Sequence, residues 1–178
     1  MIEKLSARTA KAIKEAVPHH PTSEAVLKYA LEGIYNAVFI IGLTLLLSMI
    51  TGNTKETFII LVTFALLRQT SGGKHLQSGV LCVVVTTSLF TGMSFVKPDV
   101  QMTQMLNLIS ILLVAMYAPS NIEHQSRIPK KYYPLLKLIA AVMIAANFII
   151  ISPTVSVSFF VQALTLIKTP RREVKSID

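Results

Sequence analysis

The chain has 178 residues, 52% of them hydrophobic and 15% charged, with no tryptophan, one cysteine and a formal net charge of +8. That apolar excess exceeds what a water-soluble domain of this size carries and points to lipid as the solvent. A lone cysteine, Cys82, excludes an intramolecular disulfide framework and the paired-cysteine patterns of zinc and thioredoxin-like sites.

Residues 1–32 are polar and basic where a secretory leader would hold its apolar core, so the first apolar block is expected to stay in the mature protein. Within them Ile2, Leu5, Ile13, Val17, Val26, Leu27 and Leu31 alternate with lysines and glutamates, broken at Pro18 and Pro21. This predicts two short amphipathic helices on the inner membrane surface. His19 and His20 at the break read as solvated turn residues rather than metal ligands.

Apolar stretches follow near 34–50, 79–96, 102–118 and 135–151, each close to the roughly 17 to 25 residues that cross a bilayer as a helix. Phe58–Leu67 and Val155–Ile167 are apolar but shorter, suited to a tilted span, thinned lipid or a re-entrant segment. If all six cross, Lys55 and Lys97 alone among the 17 basic residues face outward, beside Glu56 and Asp99. The positive-inside rule then puts both termini, the 68–78 loop and the 119–134 loop in the cytoplasm. The fold class expected is an all-α integral membrane protein in a single domain. An interfacial segment spans 1–32, a bundle of about six transmembrane or re-entrant helices spans 33–167, and a basic tail spans 168–178. The inner +8 fixes topology, meets anionic headgroups and would attract an acidic partner.

Chemistry concentrates between Arg68 and Cys82. Gly72-Gly73 permits a sharp turn, His75 follows, and Ser78 precedes Gly79 as a plausible N-cap. A cysteine is a nucleophile as thiolate and needs a base or positive charge nearby. On one unbroken helix, His75 and Cys82 would lie roughly 10.5 Å apart along the axis, so a helix must start between them. A start at Ser78 puts Cys82 in the first turn, where free amides favour a thiolate, with His75 in the preceding loop.

No carboxylate lies between Glu56 and Asp99, leaving Glu32 or Glu123 to orient His75, or Gln69, Ser71 or Gln77 to steady it. Oxyanion donors would be the amides at the start of that helix, or Arg68. On residues alone the alternative is an inert pair, a small packed thiol and a solvated histidine.

Arg68, Gly72-Gly73, His75, Ser78 and Cys82, with Tyr117-Ala118-Pro119 and the later Lys130-Lys131-Tyr132-Tyr133, resemble the accessory gene regulator B family of quorum-sensing membrane endopeptidases. The resemblance implies His75 as general base and Cys82 as nucleophile, with Arg68, Gly72 and Gly73 in positioning roles. It implies a small pro-peptide signal precursor as substrate, with an amphipathic helix and an acidic C-terminal tail that is removed at the cytoplasmic face of the cell membrane. Cyclisation through an acyl-enzyme thioester would follow. Lys130, Lys131, Arg171 and Arg172 are candidates to hold the tail. A homodimer is implied as well; no cofactor, metal or nucleic acid is.

Two other readings compete. A small transporter or channel would place paired ionisable groups at mid-membrane depth, where the stretches offer only Asn107 and Asn147, better suited to joining helices. A non-catalytic membrane adaptor or sensor would use the basic face and leave Cys82 incidental.

Overall fold

The computed structural model describes residues 1–19, 21–73, 78–120 and 128–167. Among them are seven α-helices: α1 (Ile2–Ala16), α2 (Glu24–Thr51), α3 (Thr54–Ser71), α4 (Gly79–Ser94), α5 (Val100–Tyr117), α6 (Tyr133–Ile150) and α7 (Pro153–Leu164). A single 3-10 turn, Lys130–Tyr132, leads into α6.

Local signals account for the boundaries. α1 stops at Val17, whose backbone (φ −133°, ψ 72°) leaves the helical region, as the clash of Pro18 with a helical residue before it favours. Ser23, Ser78, Asp99 and Ser152 cap α2, α4, α5 and α7 by accepting from the amides of Val26, Leu81, Met102 and Val155. α2 ends on Gly52 in the left-handed region (φ 74°), with the Gly52 and Asn53 amides both donating to the Ser48 carbonyl. α5 ends before Pro119, and α6 ends on Ile151, a non-glycine residue at φ 52°.

All six apolar stretches are helical. α2, α5 and the segment Lys130–Ile150 are long and apolar enough to cross a membrane; α4 and α7 are apolar but shorter. The 12 residues of α7 extend about 18 Å, against a hydrocarbon core of roughly 30 Å. One expectation is corrected. The second interfacial helix is not separate, because Glu24–Thr51 runs as one helix from the Ser23 cap to Gly52, and Gly33 has open space around it and does not interrupt.

The helices pack in two compact groups. The first joins α1, α2, the start of α3 and α4. Here α1 turns Ile2, Ser6 and Ala10, one turn apart, into the packing. Ser6 Oγ lies 3.4 Å from Glu32 Oε1, and Thr9 Oγ1 lies 2.9 Å from the Tyr35 hydroxyl, so this helix is held to α2 by polar contacts as well as shape.

The second group joins the rest of α3 with α5, α6 and α7 around Leu67, Val114, Ala118, Ala140, Ile144, Phe159, Ala163 and Leu166. Asn147 Nδ2 donates to Asn107 Oδ1 (3.0 Å) and to the Ser152 carbonyl (3.1 Å), while Asn147 Oδ1 accepts from the Ser152 amide (3.1 Å). The two asparagines do join helices, as expected. Throughout, small polar side chains such as Thr44, Ser48, Ser110 and Ser158 are buried, while Met49, Leu112, Met116, Leu138 and Val142 are exposed. An apolar exterior, with small polar side chains buried between the helices beside apolar ones, is the arrangement for a lipid solvent, where interhelical polar contacts substitute for absent water.

Candidate active site

Ser78 opens α4 in an extended conformation (φ −90°, ψ 119°), and its Oγ accepts from the Leu81 amide at 3.5 Å. The Cys82 amide donates to the Ser78 carbonyl at 2.8 Å, closing the first turn. Cys82 therefore stands one turn into its helix, where the sequence puts it. Its own amide is committed, as is that of Leu81, so Gly79 and Val80 are the first-turn amides left to face an oxyanion.

The Cys82 side chain is buried, 7% exposed, with Sγ 4.0 Å from Thr86 Oγ1 one turn on. Beside the start of α4 lies a group not anticipated from sequence. A Cβ at Gly79 would sit 3.2 Å from Asn36 Oδ1 and 3.6 Å from Ile2 Cδ1, so α1 and α2 close tightly on this turn. Asn36 Oδ1 is buried and has no hydrogen-bond partner among the described residues. His75, Gln77 and Glu123 lie outside the described residues. Glu32, the other carboxylate considered for His75, pairs with Lys28 at 3.6 Å and contacts Ser6.

In the second group, the segment read from sequence as a loop from residue 68 is still helix up to Ser71. Arg68 and Gln69 belong to the last turn of α3; Gln69 is exposed, and Arg68 Nη1 would lie 3.4 Å from a Cβ at Gly73. The glycine pair turns the chain as anticipated, Gly72 at φ 75° and Gly73 at φ 135°. What grips the turn was not visible in the sequence. The Gly73 amide donates to the Ser120 carbonyl and the Ser120 amide to the Ser71 carbonyl, both at 2.9 Å, forming a parallel bridge directly after the cis Ala118–Pro119 bond.

Gln162 of α7 adds a side-chain clamp: its Nε2 donates to the Gly72 carbonyl at 2.7 Å and to Ser71 Oγ at 3.2 Å. The Tyr117-Ala118-Pro119 patch and the glycine pair, separate in the sequence, thus meet in one structure.

Lys130 and Lys131 are exposed on the 3-10 turn before α6, with Lys131 Nζ 4.9 Å from the centroid of the Tyr132 ring. Arg171 and Arg172 lie outside the described residues.

No curated protein and no solved structure matches the chain. The family model described as Accessory gene regulator B matches residues 6–168, nearly the whole length. With three helices fit to cross a membrane, this is a membrane protein, and the chain belongs to the accessory gene regulator B family, which is tied to accessory gene regulator pro-peptide processing.

Proposed function

We propose that the protein is a membrane-embedded cysteine endopeptidase that removes the C-terminal tail of a small quorum-sensing pro-peptide. The observation that carries this reading is the Ser78-capped turn that sets Cys82 at the start of α4, in a chain whose sequence supplies a histidine seven residues earlier. Cys82 Sγ attacks the carbonyl carbon of the peptide bond before the tail while His75 accepts the thiol proton. The Gly79 and Val80 amides stabilise the oxyanion. On collapse, His75 protonates the leaving amine and the N-terminal part of the peptide remains on Cys82 as a thioester.

A cysteine or serine side chain of the peptide then attacks that thioester, releasing Cys82 and a cyclic thiolactone or lactone. The site faces the cytoplasm in a multi-pass chain with both termini inside, supported by the one-sided distribution of lysine and arginine. Lys130, Lys131, Arg171 and Arg172 attract the acidic tail, and the amphipathic part of the precursor shares the lipid surface. The enzyme acts as a homodimer.

One observation favours a non-catalytic adaptor instead: the near-complete burial of Cys82, a common state of structural cysteines. Co-expression with a tagged precursor encoded beside the protein separates the two. Native protein is expected to release the tail, and Cys82→Ala and His75→Ala are expected not to. Cleavage that survives Cys82→Ala would leave the adaptor.

A further inference from the structure

The polar side chains that precede Asn36 on the packed face of α2 are engaged. Glu32 pairs with Lys28 at 3.6 Å and contacts Ser6, and the Tyr35 hydroxyl lies 2.9 Å from Thr9 Oγ1. Asn36 differs: its Oδ1 is shut off from solvent, and no hydrogen bond reaches it among the described residues. Asn147, by contrast, uses both ends of its carboxamide. An apolar side chain of similar size would fill the same place at less cost, so the idle carboxamide does nothing for the fold. The hydroxyls of Thr44, Thr87 and Thr91 lack partners too, but they lie further along their helices, away from the turn that opens α4.

The place of Asn36 gives it a use. A Cβ at Gly79 would stand 3.2 Å from Asn36 Oδ1 and 3.4 Å from Nδ2, so the two ends are nearly equidistant from this turn. A half-turn of the amide presents Nδ2 in place of Oδ1 and breaks no bond to Oδ1. Gly79 precedes Cys82 by three residues and shares its face of α4, at a Cβ spacing of roughly 5–6 Å. A helical side chain leans over the turn N-terminal to it, which for Cys82 is the turn of Gly79. Glycine there leaves no side chain between that turn and the carboxamide.

We infer that Asn36 is a further catalytic residue, whose Nδ2 donates to the oxyanion beside the Gly79 and Val80 amides. As the bond from Cys82 Sγ to the scissile carbonyl carbon forms, the carbonyl π pair moves onto oxygen. Asn36 and the two amides hold that charge without giving up a proton. On collapse the pair returns to carbon and the C–N bond to the tail breaks. The inference rests on the endopeptidase reading above and adds to it a residue from α2.

The test compares cleavage of the tagged precursor by the full-length protein in lipid vesicles with that by Asn36→Leu and Cys82→Ala. Leucine has similar volume and no polar atom, so Asn36→Leu is expected to keep the native melting transition. Its kcat is expected to fall about a hundredfold or more with KM changed by less than about threefold, because the charge that Nδ2 meets develops only in the transition state. Alkylation of Cys82 by iodoacetamide forms no oxyanion and is expected to stay within about twofold of native. A native kcat in Asn36→Leu beside an inactive Cys82→Ala would overturn the inference and leave the endopeptidase standing. A loss confined to KM would overturn it as well, and so would alkylation that slows as much as cleavage. Cleavage that survives Cys82→Ala would remove the endopeptidase reading and the inference together.

Should Asn36→Leu lose the melting transition, Asn36→Asp enters the same comparison. It keeps the shape, but its carboxylate cannot donate and opposes a second negative charge, so a loss of kcat at least as large is expected. A kcat near native in Asn36→Asp would overturn the inference.

Discussion

Gly73→Ala is the substitution for which the structure supplies most of the arithmetic. The position sits at φ 135°, a region that L side chains rarely adopt, which alone costs on the order of 1–3 kcal/mol. The added Cβ would stand 2.6 Å from Thr165 Oγ1, so Thr165 must move, weakening its bonds to the Gln162 carbonyl and Oε1 by about 1 kcal/mol. A total loss of about 2–4 kcal/mol follows.

The assay is thermal unfolding of the purified protein in lipid nanodiscs, with two controls. Gly92→Ala in α4 meets nothing within 4 Å and is expected to stabilise by roughly 0.5–1 kcal/mol through helix propensity. Adding Thr165→Ala to Gly73→Ala is expected to recover only part of the loss, since the backbone strain stays. Native stability in Gly73→Ala, or full recovery in the double variant, would refute the account of this turn.

Three further outcomes are expected. Ser78→Ala removes the cap of α4, and its long 3.5 Å bond puts the stability loss near the low end, about 0.5–1 kcal/mol, with slower precursor cleavage measured beside unfolding. Asn147→Leu deprives Asn107 Oδ1 and the Ser152 amide of partners, while the Ser152 carbonyl keeps the Ser156 amide, and is expected to cost roughly 2–4 kcal/mol in the same unfolding assay. Lys130→Gln with Lys131→Gln is expected to raise the KM for the precursor several-fold at low salt with little change in kcat, an effect that fades toward about 1 M salt; an unchanged KM would remove these lysines from tail binding.

Local features were legible in the sequence, and long-range polar contacts were not. Ser78 could be assigned as a cap because hydroxyl, glycine and apolar run are neighbours, and the cap fixes Cys82 one turn into α4. Gly72-Gly73 announced a turn for the same reason. The extent of α2 was misjudged because charged residues at 24–32 suggest an interface, whereas a helix with no proline or cap after Ser23 has no reason to stop. Gln162, Ser120 and Asn36 were missed altogether. Each acts on residues distant in sequence, through a backbone carbonyl, a backbone bridge or close packing against a glycine, and such contacts leave no spacing to read. A glutamine inside an apolar stretch was the one available signal, since lipid-buried polar side chains rarely stand without a purpose.

The central claim is that Cys82 carries the peptide as a thioester, and trapping that adduct tests it most directly. Purified native protein in vesicles, mixed with the tagged precursor and quenched in acid, is expected to gain the mass of the precursor's N-terminal part on the peptide containing Cys82. Neutral hydroxylamine should release it, and Cys82→Ala should show neither adduct nor tail release. Tail release without a Cys82-dependent adduct, persisting in Cys82→Ala, would contradict the account.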